Sequence, residues 1–136
     1  MEHSARFLQL VESVRAHIVE VTLAEAAQLA EAAQLAEAAQ LPERDGVPLH
    51  WIDVREDHEW AAGHVPGATH LGKGILERDI ERRFPDVNTP LLLYCGGGYR
   101  SALSAAALQQ MGYLRVYSLV GGFRAYKDSG LPTARD

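Results

Sequence analysis

One cysteine, Cys95, is present in the 136 residues, so no disulfide can close within the chain, and chemistry that needs two thiols must take the second from another molecule. That composition fits a reducing compartment. Basic runs are missing too, and the formal charge is −5, which argues against nucleic acid or an anionic membrane as a main partner. No apolar run approaches the roughly 18 residues of a membrane span, and Met1-Glu2-His3-Ser4-Ala5-Arg6 lacks the charged-then-apolar layout of a secretion leader. The expected location is the cytoplasm. His3, His17, His50, His58, His64 and His70 show no ligand spacing, and with a single cysteine no metal site is expected. What is present, 47% hydrophobic and 23% charged residues, is ordinary for one soluble globular domain with a sizeable core.

The cysteine sits where a reactive thiol would be built. It follows the apolar run Leu91-Leu92-Leu93-Tyr94 and precedes Gly96-Gly97-Gly98-Tyr99-Arg100-Ser101. A buried strand delivers the sulfur to a sheet edge. The glycines that follow can turn sharply and accept positive φ, so successive backbone N–H groups can point into one bowl around Sγ, with Ser101 capping the helix that starts there. The bowl, the helix N-terminus and the cation of Arg100 all favour thiolate, which is the nucleophile. The competing reading is a small buried core residue, but a packing cysteine gains nothing from three glycines and an arginine beside it.

Ser4 is a cap for a first helix whose Phe7, Leu8, Leu10, Val11 and Val14 form an apolar stripe, and this helix reads as a packing arm. His17 to Val21 reads as a short strand, and Thr22 as the next cap. Residues 24 to 41 are three identical copies of Ala-Glu-Ala-Ala-Gln-Leu. All are strong helix formers, so a helix is expected through Leu41, ended by Pro42. Six residues advance by about 600°, which sets Leu29, Leu35 and Leu41 on three sides rather than one. A seven-residue coiled-coil repeat is absent. The hexads look like a tandem expansion, natural or engineered, and the plain reading is a helical extension without chemical role. Further on, strands are expected at 49–54, 68–71, 91–95 and 115–119, with helices at 57–62, 76–84 and 101–111 and a closing segment at 121–132. This alternation predicts an α/β fold, a parallel sheet with helices on both faces whose reactive loops leave the carboxyl ends of the strands.

These residues resemble the single-domain rhodanese-like sulfurtransferases. Asp53-Val54-Arg55-Glu56, Glu59-Trp60 and Gly63-His64-Val65-Pro66-Gly67-Ala68 are similar to the family's first signature, and Gly121-Gly122-Phe123 through Gly130-Leu131-Pro132 to its last. Cys95-x-x-Gly98-x-Arg100-Ser101 is similar to its active-site loop. The resemblance covers roughly residues 18 to 133, which divides the chain into a helical arm, 1–17, and a rhodanese-like domain, 18–136, with the repeat helix 24–41 inside it. It implies an open, parallel, five-stranded sheet flanked by helices, with an extra N-terminal helix and an Ala-rich helical insertion. It also implies ping-pong sulfur transfer through a cysteine persulfide, with Asp53 and Arg55 bracing the loop from behind. Read without the family, those two are equally well surface ion-pair members.

The chemistry assigns Cys95 as nucleophile, with Gly96, Gly97, Gly98, Tyr99, Arg100 and Ser101 around the substrate. Backbone N–H groups would stabilise the sulfane sulfur, and Arg100 would attract an anionic donor or else form a salt bridge at the helix start. Tyr99 shapes the pocket mouth or covers it, while Glu59 and His64 read as structural. No cofactor is required beyond the covalent persulfide. Expected partners are small sulfur donors such as thiosulfate, thiol acceptors and, as a further candidate, a sulfur-acceptor protein, with the chain a monomer or weak homodimer. Two other functions remain open. One is a sulfur-carrying or interaction module without turnover. The other is a phosphatase of the Cys-x5-Arg type, disfavoured because only four residues separate Cys95 from Arg100.

Overall fold

The structure, a computed structural model, describes residues 2–38 and 48–136. Helix α1 (Ala5–Arg15) leads through strand β1 (Val19–Val21) into α2 (Leu23–Ala38). Then follow β2 (His50–Asp53), α3 (Asp57–Ala62), β3 (Thr69–His70), α4 (Leu76–Arg83), β4 (Leu91–Tyr94), α5 (Tyr99–Gln110), β5 (Val116–Leu119) and α6 (Gly122–Asp128). The five strands form one sheet in the order β1-β5-β4-β2-β3, every pair parallel. Among the described residues no helix is long and apolar enough to cross a membrane.

β4 occupies the middle of the sheet, and Leu91, Leu92, Leu93 and Tyr94 are all fully buried. A central parallel strand is covered on both faces, which is why its sequence is a continuous apolar run rather than an alternation. Successive side chains still point to opposite faces. Leu91, Leu93 and Cys95 pack with Val11 of α1, Leu76 and Ile80 of α4, and Ala102, Ala105 and Leu108 of α5. Leu92 and Tyr94 pack on the other side with Ala26 of α2 and Phe123 and Tyr126 of α6. The register of β4 therefore carries Cys95 to the face that α1 and α5 cover, and each buried leucine contributes about 1.5–3 kcal/mol to holding it there.

In α1 the Ser4 hydroxyl accepts the Phe7 N–H at 3.4 Å, as expected of a cap. The expected stripe divides, however. Phe7, Val11 and Val14 join the core, whereas Leu8 and Leu10 are 39% and 53% exposed, because at about 100° per residue they fall roughly 90° and 70° to either side of the line through the other three. Thr22 caps α2 reciprocally: its hydroxyl accepts the Glu25 N–H at 3.2 Å and its own N–H donates to Glu25 Oε1 at 2.9 Å. Leu23, Ala26 and Leu29 pack on the sheet, so the first hexad is part of the fold. The expected helix end at Leu41 and Pro42 lies outside the described residues.

Candidate active site

From β2 the chain continues outward to β3, whereas from β4 it turns to β5 on the opposite side. Loops leaving these adjacent carboxyl ends part from each other and open a crevice, the usual ligand site of open α/β sheets. Cys95 stands on one lip, at the end of β4. Val54-Arg55-Glu56 and α3 form the other.

Cys95 is 1% exposed. The Gly98 N–H donates to Sγ at 3.1 Å and the Ser101 N–H at 3.4 Å. The Ser101 hydroxyl lies 3.5 Å from Sγ and 2.8 Å from the Ser118 hydroxyl. Two details differ from the sequence expectation. Only Gly98 of the three glycines takes positive φ, +99°, and a Cβ there would press on the Leu119 carbonyl oxygen at 3.2 Å and the Gly121 nitrogen at 3.3 Å. Ser101 is not the cap of α5, since the helix starts earlier, with Gly98 in the cap position. Inside the first turn, the backbone N–H of Ser101 is one of the helix's unpaired donors, and it is spent on the sulfur. Sγ thus faces two convergent N–H groups and the positive end of α5, the donors an anionic sulfur needs.

The loop is pinned from below by α6. The Phe123 N–H donates to the Cys95 carbonyl at 2.7 Å and the Arg124 N–H to the Gly96 carbonyl at 3.1 Å. The close approach requires Gly122, at φ +54°, because a Cβ there would collide with the Cys95 carbonyl and the Gly96 backbone. The paired glycines after β5 are visible in the sequence, but the contact they serve is not.

Asp53 and Arg55 are buried rather than on the surface, at 0% and 5% exposure. Arg55 grips both Asp53 carboxylate oxygens, donates to the Gly63 carbonyl at 2.7 Å, and lies 4.3 Å above the Phe123 ring. Burial opposes its charge, but the hydrogen bond and attraction of Asp53 prevail and raise its pKa above the ordinary value. Through Phe123 this pair supports the residue that holds the Cys95 carbonyl.

Arg100 is engaged on two sides, with Glu59 across the crevice and with the Cys95 sulfur. Its Nη1 and Nη2 donate to the two Glu59 oxygens at 2.6 and 2.9 Å, and Glu59 Oε1 also accepts the Glu56 N–H at 3.0 Å. The hydrogen bonds from Arg100 hold the Glu59 carboxyl down at about 2. Arg100 in turn is raised, first by that same bond. The pair ties α5 to α3 across the crevice, and Glu59, expected to be structural, stands at its mouth. His64 is structural as expected, stacked on Trp60 with ring centroids 3.4 Å apart.

Above Sγ lies a cavity of about 670 Å³ lined by Cys95, Gly97, Tyr99, Arg100, Glu56, His58 and Glu59, and by Glu2, His3, Ser4 and Phe7 of the arm. The Tyr99 ring is 4.5 Å from His3 and 6.3 Å from Phe7, with the Arg15 guanidinium 5.4 Å from its centroid. Gly96 lies under Arg100. The arm's place in the cavity wall was not foreseen, since nothing local in residues 2–7 signals a neighbour so far along the chain.

The rhodanese-like domain family matches residues 31–129. The chain belongs to this family. The domain is 37% identical over 78 residues to the thiosulfate sulfurtransferase GlpE of Pseudomonas entomophila, covering 57% of this chain and 70% of that protein. It superimposes with a TM-score of 0.71 on a protein of unknown function from Rhodopseudomonas palustris described as a possible tyrosine phosphatase, 26% identical, over 98% of this chain and 99% of the other. With an Escherichia coli rhodanese with anions the TM-score is 0.57 at 32% identity, over 65% of this rhodanese-like chain and 99% of that one.

Proposed function

We propose that this rhodanese-like domain is a sulfurtransferase that carries sulfane sulfur on Cys95. The observation that carries the reading is the sulfur at the cavity floor, facing the N–H groups of Gly98 and Ser101. Similarity to a thiosulfate sulfurtransferase supports it. In the first half-reaction the Cys95 thiolate attacks the outer sulfur of a donor. With thiosulfate, the S–S bond to the sulfonate breaks, sulfite leaves with the bond's electron pair, and Cys95 keeps S–S⁻. In the second, a thiolate or cyanide attacks that terminal sulfur and returns Cys95 to thiolate. Gly98 and Ser101 serve the charge on either sulfur species in a water-poor floor, where preorganised donors count most. The covalent persulfide is the carrier, so no cofactor enters, and small donors and thiol acceptors suffice as partners in the cytoplasm.

Cys95→Ser should fold normally, lose all thiosulfate:cyanide turnover and fail to gain the mass of one sulfur atom on incubation with donor. More than a few per cent of residual turnover would overturn the assignment. A wild-type chain that takes up sulfur but passes it only to a protein would instead be a carrier. The phosphatase alternative draws on the Rhodopseudomonas palustris likeness. Against it stand the four residues between Cys95 and Arg100, one short of the Cys-x5-Arg loop, and a guanidinium that already shares its terminal nitrogens with Glu59. Hydrolysis of p-nitrophenyl phosphate that depends on Cys95 would favour it.

A further inference from the structure

The charges around the cavity point to a narrower substrate class than the fold requires. Among the described residues the lining contains the carboxylates of Glu2, Glu56 and Glu59 against the guanidinium of Arg100 and the imidazoles of His3 and His58. That guanidinium binds Glu59 through one N–H of each terminal nitrogen, so its charge is matched by a carboxylate before any anion arrives, and only its other N–H groups remain for a donor. A dianion entering here meets a rim in which, among the described residues, carboxylates outnumber guanidinium groups, and like charges brought together in a partly desolvated site are strongly penalised.

Part of the lining is aromatic. His3, Phe7 and Tyr99 form an aromatic cluster, with centroid distances of 4.5 Å from His3 to Tyr99 and 5.1 Å from His3 to Phe7. A cavity of about 670 Å³ is of the size that holds small organic molecules. A compact inorganic anion would leave most of it unfilled and has no carbon skeleton to set against the rings.

Resting on the sulfurtransferase reading, we infer that the preferred substrate of this site is an organic persulfide or thiol with an uncharged or cationic body, and that the thiosulfate dianion is a poor donor. The body packs against His3, Phe7 and Tyr99 while its terminal sulfur reaches Cys95. The step is balanced without any oxidant. The Cys95 thiolate attacks the outer sulfur of R–S–SH, the S–S bond of the donor breaks, R–S⁻ departs with its electron pair, and Cys95 is left as Cys–S–SH. The departing thiolate is repelled by the same carboxylates, which aids its release.

The test compares kcat/KM for four donors at low salt: thiosulfate and the persulfides of cysteamine, 2-mercaptoethanol and mercaptoacetate, which are similar in size and differ in charge. The expected order is cysteamine, then mercaptoethanol, then mercaptoacetate and thiosulfate, with roughly tenfold between the cationic and anionic members, shrinking as salt is added. Glu2→Lys, at an exposed position, should compress the cationic-to-anionic ratio about threefold with unchanged thermal stability. Glu59→Gln, which removes the charge opposite Arg100, should raise efficiency with thiosulfate. Equal or better use of the anionic donors, or a ratio that Glu2→Lys leaves unmoved, overturns the inference alone. Failure of Cys95 to take up sulfur from any of the four overturns the sulfurtransferase reading with it.

Discussion

Glu59 and Arg100 stand 41 positions apart in the chain, and their pairing changes what Arg100 offers. Beside a cysteine an arginine reads as an anion catcher, but here two of its donors already hold a carboxylate, which offsets its charge and leaves the other N–H groups for a substrate. The pair also has a pH signature. Glu59 titrates at about 2 in the folded chain against an ordinary 4.5, so its contribution to stability is complete above about 4.5 and is lost as pH falls toward 2. The side chain is partly exposed, and solvent screening reduces the effect. Urea midpoints of wild type and Glu59→Gln should therefore differ at pH 6 and converge between pH 4.5 and 2. A constant gap over that range would show that the bridge does not contribute through charge.

At the scale of elements, the reactive loop is a joint of three pieces: the end of β4, the first turn of α5 and the first turn of α6. Gly122 is where the third piece comes closest. Gly122→Ala must push the α6 start away from the Cys95 carbonyl and also strain a positive φ, at a cost of about 1–3 kcal/mol or more. Gly112 provides the control, since it has φ +100° and nothing within 4 Å of an added Cβ. Gly112→Ala should cost only about 1 kcal/mol and leave sulfur transfer unchanged, whereas Gly122→Ala should lower both stability and turnover. Equal losses of turnover in the two would detach α6 from the site. Element type and order were legible because period and punctuation are local: an unbroken apolar run for β4, a Ser or Thr before α1 and α2, glycine after α3. The start of α5 was misplaced by two residues because a glycine cap in the left-handed region leaves no side-chain signal, and Ser101, which looks like a cap, serves Ser118 and the sulfur instead.

For the whole molecule, the parallel sheet and the position of Cys95 at a strand end follow from the alternation of strands and helices, and the three motifs supply the family. What the sequence did not reveal is every contact made over long separations: Glu59 with Arg100, Gly122 under Cys95, and the arm over Tyr99. Each depends on the angle at which two elements cross, which no single segment encodes. The hexads are a related case. Leu23, Ala26 and Leu29 already anchor α2 on the sheet, so deletion of residues 30–41 removes two copies without touching these anchors. Surface insertions carry little closure entropy, so kcat/KM should stay within about twofold, and sedimentation should give the monomer mass with and without the segment. A dimer that dissociates on deletion would instead assign assembly to the repeat.

The arm gives the cavity a divided ancestry. Donors to the sulfur come from the β4–α5 joint, deep in the sheet, where any change is felt by the whole core. The rim comes partly from Glu2, His3 and Ser4, just ahead of α1, and from Phe7 within it, a segment held to the rest through the packing of Phe7, Val11 and Val14. On the reading proposed above, changes at Glu2 or His3 would alter which molecules are admitted without entering that packing, and leave the donors to Sγ as they are.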